Sequence, residues 1–223
     1  MIFVADPNLK LPRTYEWSVA FEQSLGKEQS LSLTYVGAIG RDLLRVTNLF
    51  NVNPNFQLVE LTTNSATSDY HALQIKFQRR LSHGLQALAS YSWSHSIDIA
   101  STDAVTTLGT PGTLANPNID RGDSDFDIRH SFSGGVTYDL PSPPHDRALR
   151  AVMGGWSLDS FVLARSAPPV DVVGATFFAA GTELSPRPNV VPGVPLALFG
   201  SQFPGGQNHQ QSGLHRATPR ATG

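Results

Sequence analysis

A run of acidic side chains near the middle of the chain is the feature whose spacing most invites chemistry. Its members are Asp120, Asp123, Asp125 and Asp127. The last three match positions one, three and five of an EF-hand calcium loop, but position six, which requires glycine, is Ile128. Position twelve is Gly134 rather than glutamate. We therefore favour a solvated loop in which these carboxylates pair with Arg121 or Arg129 and form local turns, with a weak calcium site as the alternative.

Histidine and cysteine usage bears on catalysis and metal binding. Within one predicted hairpin His71 and His95 lie at the same end and can approach each other, whereas His83 lies in the turn. No His-Glu-x-x-His motif occurs. His130 and Asp127 could form an acid–base pair, but the sequence places no nucleophile in a recognisable elbow motif. The chain contains no cysteine, which excludes thiolate zinc sites, cysteine nucleophiles and disulfides. We therefore predict that the protein is not an enzyme and has no cofactor.

That hairpin, with arms at residues 70–81 and 85–94, is the clearest predicted element. Successive strand side chains point to opposite faces, so each arm has one apolar and one polar face. The apolar face comprises Leu73, Ile75, Phe77, Leu85, Ala87, Ala89, Tyr91 and Trp93. The polar face comprises Gln74, Lys76, Gln78, Arg80, Gln86, Ser90 and Ser92. Leu88 breaks the pattern. Arms of about ten residues match the length of a tilted strand that crosses a bilayer.

The same alternation predicts four further strands. They lie at residues 15–25, 30–39, 129–140 and 155–165. Apolar residues 161–164 blur the facing of the last strand. Long polar connections at residues 40–69 and 96–128 alternate with short ones, as in outer-membrane barrels with short periplasmic turns and long outer loops. We therefore predict an all-β fold, an antiparallel up-and-down meander that forms a partial transmembrane β-barrel of about six or seven strands with long outer loops.

Aromatic side chains support the same orientation. The outer strand ends carry Tyr15, Trp17, Tyr35, Tyr70, Tyr91 and Trp93, and the inner ends carry Tyr138 and Trp156. Two such belts are typical of membrane interfaces, because an amphipathic ring prefers that environment. The alternative is that these rings form the core of a soluble β-sandwich.

Composition divides the chain into a leading segment (1–11), the barrel part (12–185) and an irregular or disordered tail (186–223) rich in Pro, Gly, Gln and Asn. Residues 170–180 fit one more strand. Residues 1–5 are too short for a signal peptide, so we expect either an intracellular chain or one whose true N-terminus is missing. The formal net charge is −2 and basic patches are absent, which excludes a dedicated nucleic-acid-binding protein. The sequence contains no run of about 18 apolar residues, so it predicts no transmembrane helix.

Several segments, taken in order, resemble the barrels of Oar-like TonB-dependent receptors, which are frequent in acidobacteria. The segment RTYEWSVAFEQSLG at 13–26, followed by 31–37, is similar to one barrel hairpin of that family, and 68–74 with 91–98 is similar to the next. DRGDSDFDIRH at 120–130 looks like its outer-loop signature, and 154–158 looks like the following ascending strand. The resemblance covers residues 12–192. It implies the outer membrane of a Gram-negative bacterium and solute uptake by the intact receptor.

The departures from that family indicate a piece of a barrel. Such receptors have a signal peptide, a TonB-contacting motif, a plug domain and about 22 strands, whereas six or seven strands are visible here. The smallest membrane barrels need eight, and an open sheet leaves two edges that lipid does not tolerate. The resemblance therefore implies four partners: outer-membrane lipid, the remaining barrel and plug, TonB through the missing N-terminal part, and an unknown solute. We expect that the chain alone does not insert stably.

Within this interpretation the polar hairpin face lines the lumen and is the best functional candidate. In a full receptor it contacts the plug or the solute path, although each of these residues is equally well explained as merely solvated. The competing interpretation is a soluble or secreted β-sandwich that binds carbohydrate through exposed Trp and Tyr. The two differ in where the aromatic rings lie: among apolar residues on an outward face in a barrel, or on a polar solvent face in a binding module.

Overall fold

The alternating segments form long antiparallel strands joined in chain order. The computed structural model describes residues 2–101, 116–141, 154–170, 177–179, 182–184, 188–202, 207–209 and 214–215. The strands of its main sheet are β1 (Ile2–Ala5), β2 (Arg13–Leu25), β3 (Gln29–Asn53), β4 (Phe56–Ser82), β5 (Leu85–Asp98), β6 (Gly122–Asp123), β7 (His130–Asp139) and β8 (Ser157–Arg165). A single 3₁₀ turn covers Pro117–Asp120.

The main sheet follows the order β2-β3-β4-β5-β7-β8, with every neighbouring pair antiparallel. Two short strands lie off this path: β1 pairs parallel with β4, and β6 pairs antiparallel with β5. The predicted all-β antiparallel meander of about six or seven strands is therefore confirmed, with six long strands in order and two short strands added. Strands β2 and β8 lie at the ends of the path, so the sheet is open.

The β4–β5 hairpin has a tight turn that fixes the register of its two strands. Ser82 pairs with Leu85, so the loop consists of His83 and Gly84 alone. Both residues have left-handed backbone, with φ of 51° and 75°. A two-residue loop of this kind matches the twist of the strands on either side, and it fixes the register that keeps each side chain on its face.

Strands β3 and β4 continue beyond the predicted strand ends. The polar connection expected at residues 40–69 is instead paired as the outer parts of these two strands, as far as Asn53 and Phe56. The register shifts between Gly40 and Leu43. Polar residues occupy both faces of this extension, so the period-two signal that marks a half-buried strand is lost. We call this paired region the outer extension (residues 41–67).

The outer extension holds much of the buried apolar surface of the described chain. Val46, Leu58 and Ala66 are buried there. Strand β1 pairs with residues 59–62 of β4, which ties the leading segment to the extension. Arg45 forms a buried ion pair with Asp120 at the end of the 3₁₀ turn. The outer connection between β5 and β7 is therefore anchored to the extension rather than only to its own strands.

Short strands occur after β8. They are β9 (Phe177–Ala179), β10 (Thr182–Leu184), β11 (Asn189–Val190), β12 (Ala197–Phe199), β13 (Gln207–His209) and β14 (Leu214–His215). They form three two-stranded sheets, β9 with β10, β11 with β14 and β12 with β13. The strand expected at 170–180 is thus the short β9, outside the main sheet. Paired residues also occur in the tail (186–223) that was expected to be irregular or disordered. The rest of that tail lies partly outside the described residues, and residues 102–115 of the second long connection lie wholly outside them.

The structure contains no helix, among the residues it describes, that is long and apolar enough to cross a bilayer.

Candidate functional site: two faces of one sheet

Strand register gathers the apolar side chains onto one continuous face. One row across the sheet joins Val19, Tyr35, Leu73 and Trp93, and the next joins Phe21, Leu33, Ile75, Tyr91 and Phe132. Most of these side chains are exposed, with Val19 68% and Trp93 56% exposed, while Leu33, Ile75 and Tyr91 are half-buried. A soluble monomer rarely exposes a contiguous apolar surface this wide. The face is suited to contact with hydrocarbon.

The predicted interface aromatics lie on this apolar face and near its two ends. Tyr15 and Trp17 lie on β2, Tyr35 on β3, and Tyr91 and Trp93 on β5, all toward the outer end. Tyr138 pairs with Leu85 and Leu158 at the inner end. Trp156 directly precedes β8, and its carbonyl accepts a hydrogen bond from the Leu140 N–H at 2.9 Å. Their position relative to the two membrane interfaces stays a prediction.

Two tyrosine–histidine pairs, which sequence reasoning missed, recur at the outer end of the apolar face. The Tyr35 hydroxyl and His71 Nδ1 are 2.8 Å apart, as are the Tyr91 hydroxyl and His130 Nδ1. In both pairs the rings lie nearly parallel, with centroids 6.1 and 6.2 Å apart. Each histidine sits diagonally across the strand pair from its tyrosine, so the pairs become visible only once the strand register is known. The predicted approach of His71 to His95 is confirmed by direct pairing.

The opposite face carries the predicted lumen-facing residues. Gln74 pairs with Ser92, and Lys76 pairs with Ser90. Gln86 lies opposite Thr137, while Gln78 lies opposite the exceptional Leu88. Arg80 lies within a register irregularity, where its N–H donates to the Glu28 carbonyl at 2.8 Å. Glu22 and Ser32 continue the Lys76 row across the sheet. The face is therefore polar over most of its width, and its assignment to a lumen stays a prediction.

The aspartate run is drawn into ion pairs with arginine. Asp127, whose side chain is 1% exposed, accepts hydrogen bonds from Ser96 N–H at 2.8 Å and Arg129 Nε at 2.5 Å. Arg129 also contacts Asp123 at 3.2 Å. Burial by itself raises the pKa of the Asp127 carboxyl, but the Ser96 and Arg129 hydrogen bonds outweigh it and hold that pKa below its ordinary value. The predicted pairing with Arg129 is present.

Other members of the run have different partners. Asp120 pairs with Arg45 rather than with its neighbour Arg121. Arg121 instead pairs with Asp69 of β4 at 2.5 Å. The backbone N–H of Asp125 donates to the Ser101 hydroxyl at 2.9 Å. The loop is thus held to β3, β4 and β5 by contacts that are distant in sequence.

A group with metal-ligand chemistry does form, but with a different membership from the predicted one. His95, Asp123 and Asp127 bring one ligand atom each within 4.8 Å of one another. The Arg129 guanidinium contacts all three, including His95 Nε2 at 3.4 Å. It supplies the positive charge that a cation would bring. We therefore interpret this group as a structural ion-pair cluster, and the calcium alternative stays a prediction without a supporting contact.

Comparison with known proteins gives the fold a context. A family model described as outer membrane beta barrel domain matches residues 1–213. No curated protein matches the chain. Among solved structures, the outer membrane transporter YddB from Escherichia coli is similar, with a TM-score of 0.54 and 13% sequence identity. That likeness covers 82% of this chain and 25% of the transporter, so the chain spans about a quarter of its length.

Proposed function

The chain belongs to the outer membrane beta barrel domain family, and from this premise we propose that it forms part of the wall of a TonB-dependent, Oar-like receptor. In the intact receptor this wall takes part in solute uptake. The likeness to an outer membrane transporter supports a transport role, and the order of the family-like segments supports the Oar-like assignment.

The observation that carries the proposal is the division of one sheet into an exposed apolar face and a polar face. Each large apolar side chain moved from water to hydrocarbon contributes about 1.5–3 kcal/mol, so lipid stabilises a face that water does not. Within the meander, backbone groups are paired by neighbouring strands, which is what a hydrocarbon environment requires. The polar face then borders an aqueous lumen.

The open edges of β2 and β8 support a larger barrel. Six long strands cannot close, since the smallest membrane barrels have eight. We propose that further strands and the plug of the parent receptor complete the structure, that TonB acts through a part of the receptor N-terminal to this chain, and that outer-membrane lipid covers the apolar face. The solute is not specified by these contacts.

The proposal includes no catalytic step. Four of the described histidines have partners that serve structure: His71 and His130 bind tyrosine hydroxyls, His95 joins the ion-pair cluster, and His83 contacts the Ser82 hydroxyl at 2.8 Å. The soluble carbohydrate-binding sandwich is not supported. Its aromatic rings would lie over a polar face, whereas Trp17, Tyr91 and Trp93 share a face with Val19 and Leu73.

The coding sequence around this frame tests the proposal. We expect an in-frame signal peptide, TonB-contacting motif and plug upstream, with closing strands downstream. Authentic start and stop signals at the two ends of this chain would contradict it, because one open six-stranded meander cannot form the wall of a closed receptor.

A further inference from the structure

Three apolar exceptions to the alternation, Leu88, Phe161 and Leu163, meet at one place on the polar face. Leu88, Gly135 and Phe161 form one row across β5, β7 and β8. Leu163 lies in the adjacent row, opposite Ser133. The sequence showed Leu88 and the run at 161–164 only as local irregularities in two separate strands. The register converts them into a single apolar patch, and Phe161 is 72% exposed within it.

A polar row lies directly beside this patch. Gln86, Thr137 and Asp159 follow one another across the same three strands, one step along the face. The Thr137 hydroxyl donates to Asp159 Oδ1 at 2.6 Å. This bond leaves the second carboxylate oxygen and the Gln86 amide as additional hydrogen-bonding groups.

The two rows border an open groove of about 330 Å³. Its lining includes Gln86, Leu88, Gly135, Thr137, Asp159 and Phe161. The volume is near the lower end of the range for small-molecule sites, which combine apolar walls with a few convergent polar groups. Gly135 leaves the floor between Leu88 and Phe161 without a side chain, so a flat ring can approach the sheet.

We propose that this groove is a binding subsite for a neutral, polyhydroxylated ring, the chemistry of a saccharide unit. The C–H face of such a ring packs on Phe161 and Leu88, because an aromatic face is electron-rich and attracts C–H groups. Its hydroxyls bond to Asp159, Thr137 and Gln86. One carboxylate and no cationic side chain occur among the described lining residues, which disfavours a phosphate or carboxylate ligand. The assignment rests on the proposed function, since it requires the polar face to border a lumen.

Ligand-observed NMR on the intact parent receptor tests the subsite. The receptor is purified in micelles of an amine-oxide detergent, whose headgroup contains no sugar, and saturation transfer is measured to maltotriose. We expect transfer in the unsubstituted receptor and binding about tenfold weaker in Phe161→Ala, the loss expected for an aromatic contact. Val162→Ala is the matched control, because Val162 is the next residue of β8, is 52% exposed and lies on the opposite face. Asp159→Asn should also weaken binding.

A second readout separates this inference from the proposed function. Trp17, Trp93 and Trp156 all belong to the apolar side, so a doxyl-labelled fatty acid in the micelle should quench their share of the receptor's fluorescence, measured against a variant with phenylalanine at these three positions. Quenching without saturation transfer would overturn the subsite and leave the barrel wall standing. Absent quenching would overturn both. Equal weakening of binding in Phe161→Ala and Val162→Ala would also overturn the subsite. Saturation transfer to cyclohexanol as strong as that to maltotriose would overturn it too, because it would assign the patch to a mainly apolar partner.

Discussion

At the scale of single residues, close packing on the apolar face explains a glycine that the sequence left unexplained. Gly37 lies opposite Trp17, and the indole ring covers the place where a Cβ at position 37 would stand. The ring then reaches His71, with centroids 6.1 Å apart. Glycine in a strand often marks such a close approach.

Replacement of Gly37 by alanine should displace the Trp17 ring. We expect the free energy of unfolding in micelles to fall by about 1–3 kcal/mol, the usual cost of overpacking, with a shift in tryptophan emission. Gly122→Ala is the control, since no atom lies within 4 Å of its Cβ position and its backbone is not left-handed. Equal stability of the two variants, measured by urea unfolding, would contradict this packing.

The ion-pair cluster predicts an acid dependence of stability. The pKa of Asp127 is lowered in the folded chain, so its contribution is fully present above the ordinary carboxyl pKa of about 3.9. It is lost as the pH falls through the lower folded value. Asp127→Asn should lower the free energy of unfolding by about 1–3 kcal/mol at neutral pH and flatten its decline in acid. Asp6→Asn serves as control, because the half-buried Asp6 carboxylate in the leading loop accepts a local hydrogen bond from the Asn8 N–H. An unchanged acid profile in Asp127→Asn would contradict the assignment.

Residue-level prediction found one of the two nearby arginine partners of the aspartate run, since Arg129 pairs with it and Arg121 pairs with Asp69. Pairing of the aspartate run with Arg129 was expected because the two sit a few residues apart. The Arg45–Asp120 pair joins residues 75 positions apart, and the Arg121–Asp69 pair is also distant. Periodicity gives the facing of a strand, but not the register between an outer loop and a neighbouring hairpin, so these contacts required the structure.

At the scale of elements, tight turns set the register on which both faces depend. Gly84 has a φ of 75°, and a Cβ there would lie 2.8 Å from the Asp139 carbonyl oxygen. Gly26, in the β2–β3 turn, has a nearly identical φ of 76° but nothing within 4 Å of its Cβ position. The two glycines share the backbone requirement and differ in the contact.

Alanine substitution at these glycines should separate the two effects. We expect Gly26→Ala to lower the free energy of unfolding by about 1–2 kcal/mol from left-handed strain alone. Gly84→Ala should cost about 1–3 kcal/mol more, from its overlap with the strand end of β7. Denaturant unfolding of both variants in micelles measures the difference. A larger loss in Gly26→Ala would show that Asp139 does not constrain this hairpin.

Element prediction followed the strength of the alternation. At the turn, the hairpin at 70–94 was predicted nearly to its observed bounds, because apolar and polar residues alternate there, whereas β4 begins at Phe56 and β5 ends at Asp98. The outer extension was missed since apolar and polar residues are mixed on both of its faces, so it lacks the period-two pattern. The apolar run at 161–164 blurred the facing of β8, and only pairing with β7 places Phe161 on the polar face.

At the scale of the whole molecule, one open sheet separates two environments. The apolar face is continuous across β2 to β8, while the polar face carries both the predicted lumen residues and the groove beside Phe161. The family match and the similar transporter fold place this sheet in an outer-membrane barrel. The sequence predicts that architecture because the period-two alternation recurs in six strands. The convergence of Leu88 and Phe161 could not be predicted in this way, because it depends on the register between strands.

The most direct test of the account is cysteine accessibility along β4 in outer membranes that contain the intact parent protein. This chain has no cysteine, so single substitutions at residues 73–78 report on β4 once any cysteine in the rest of the parent is replaced by serine. A water-soluble maleimide should label positions 74, 76 and 78 at least about tenfold faster than 73, 75 and 77, because alternate side chains face lumen and lipid. Uniform labelling of all six, or faster labelling of the odd positions, would contradict a barrel wall with its apolar face in the membrane.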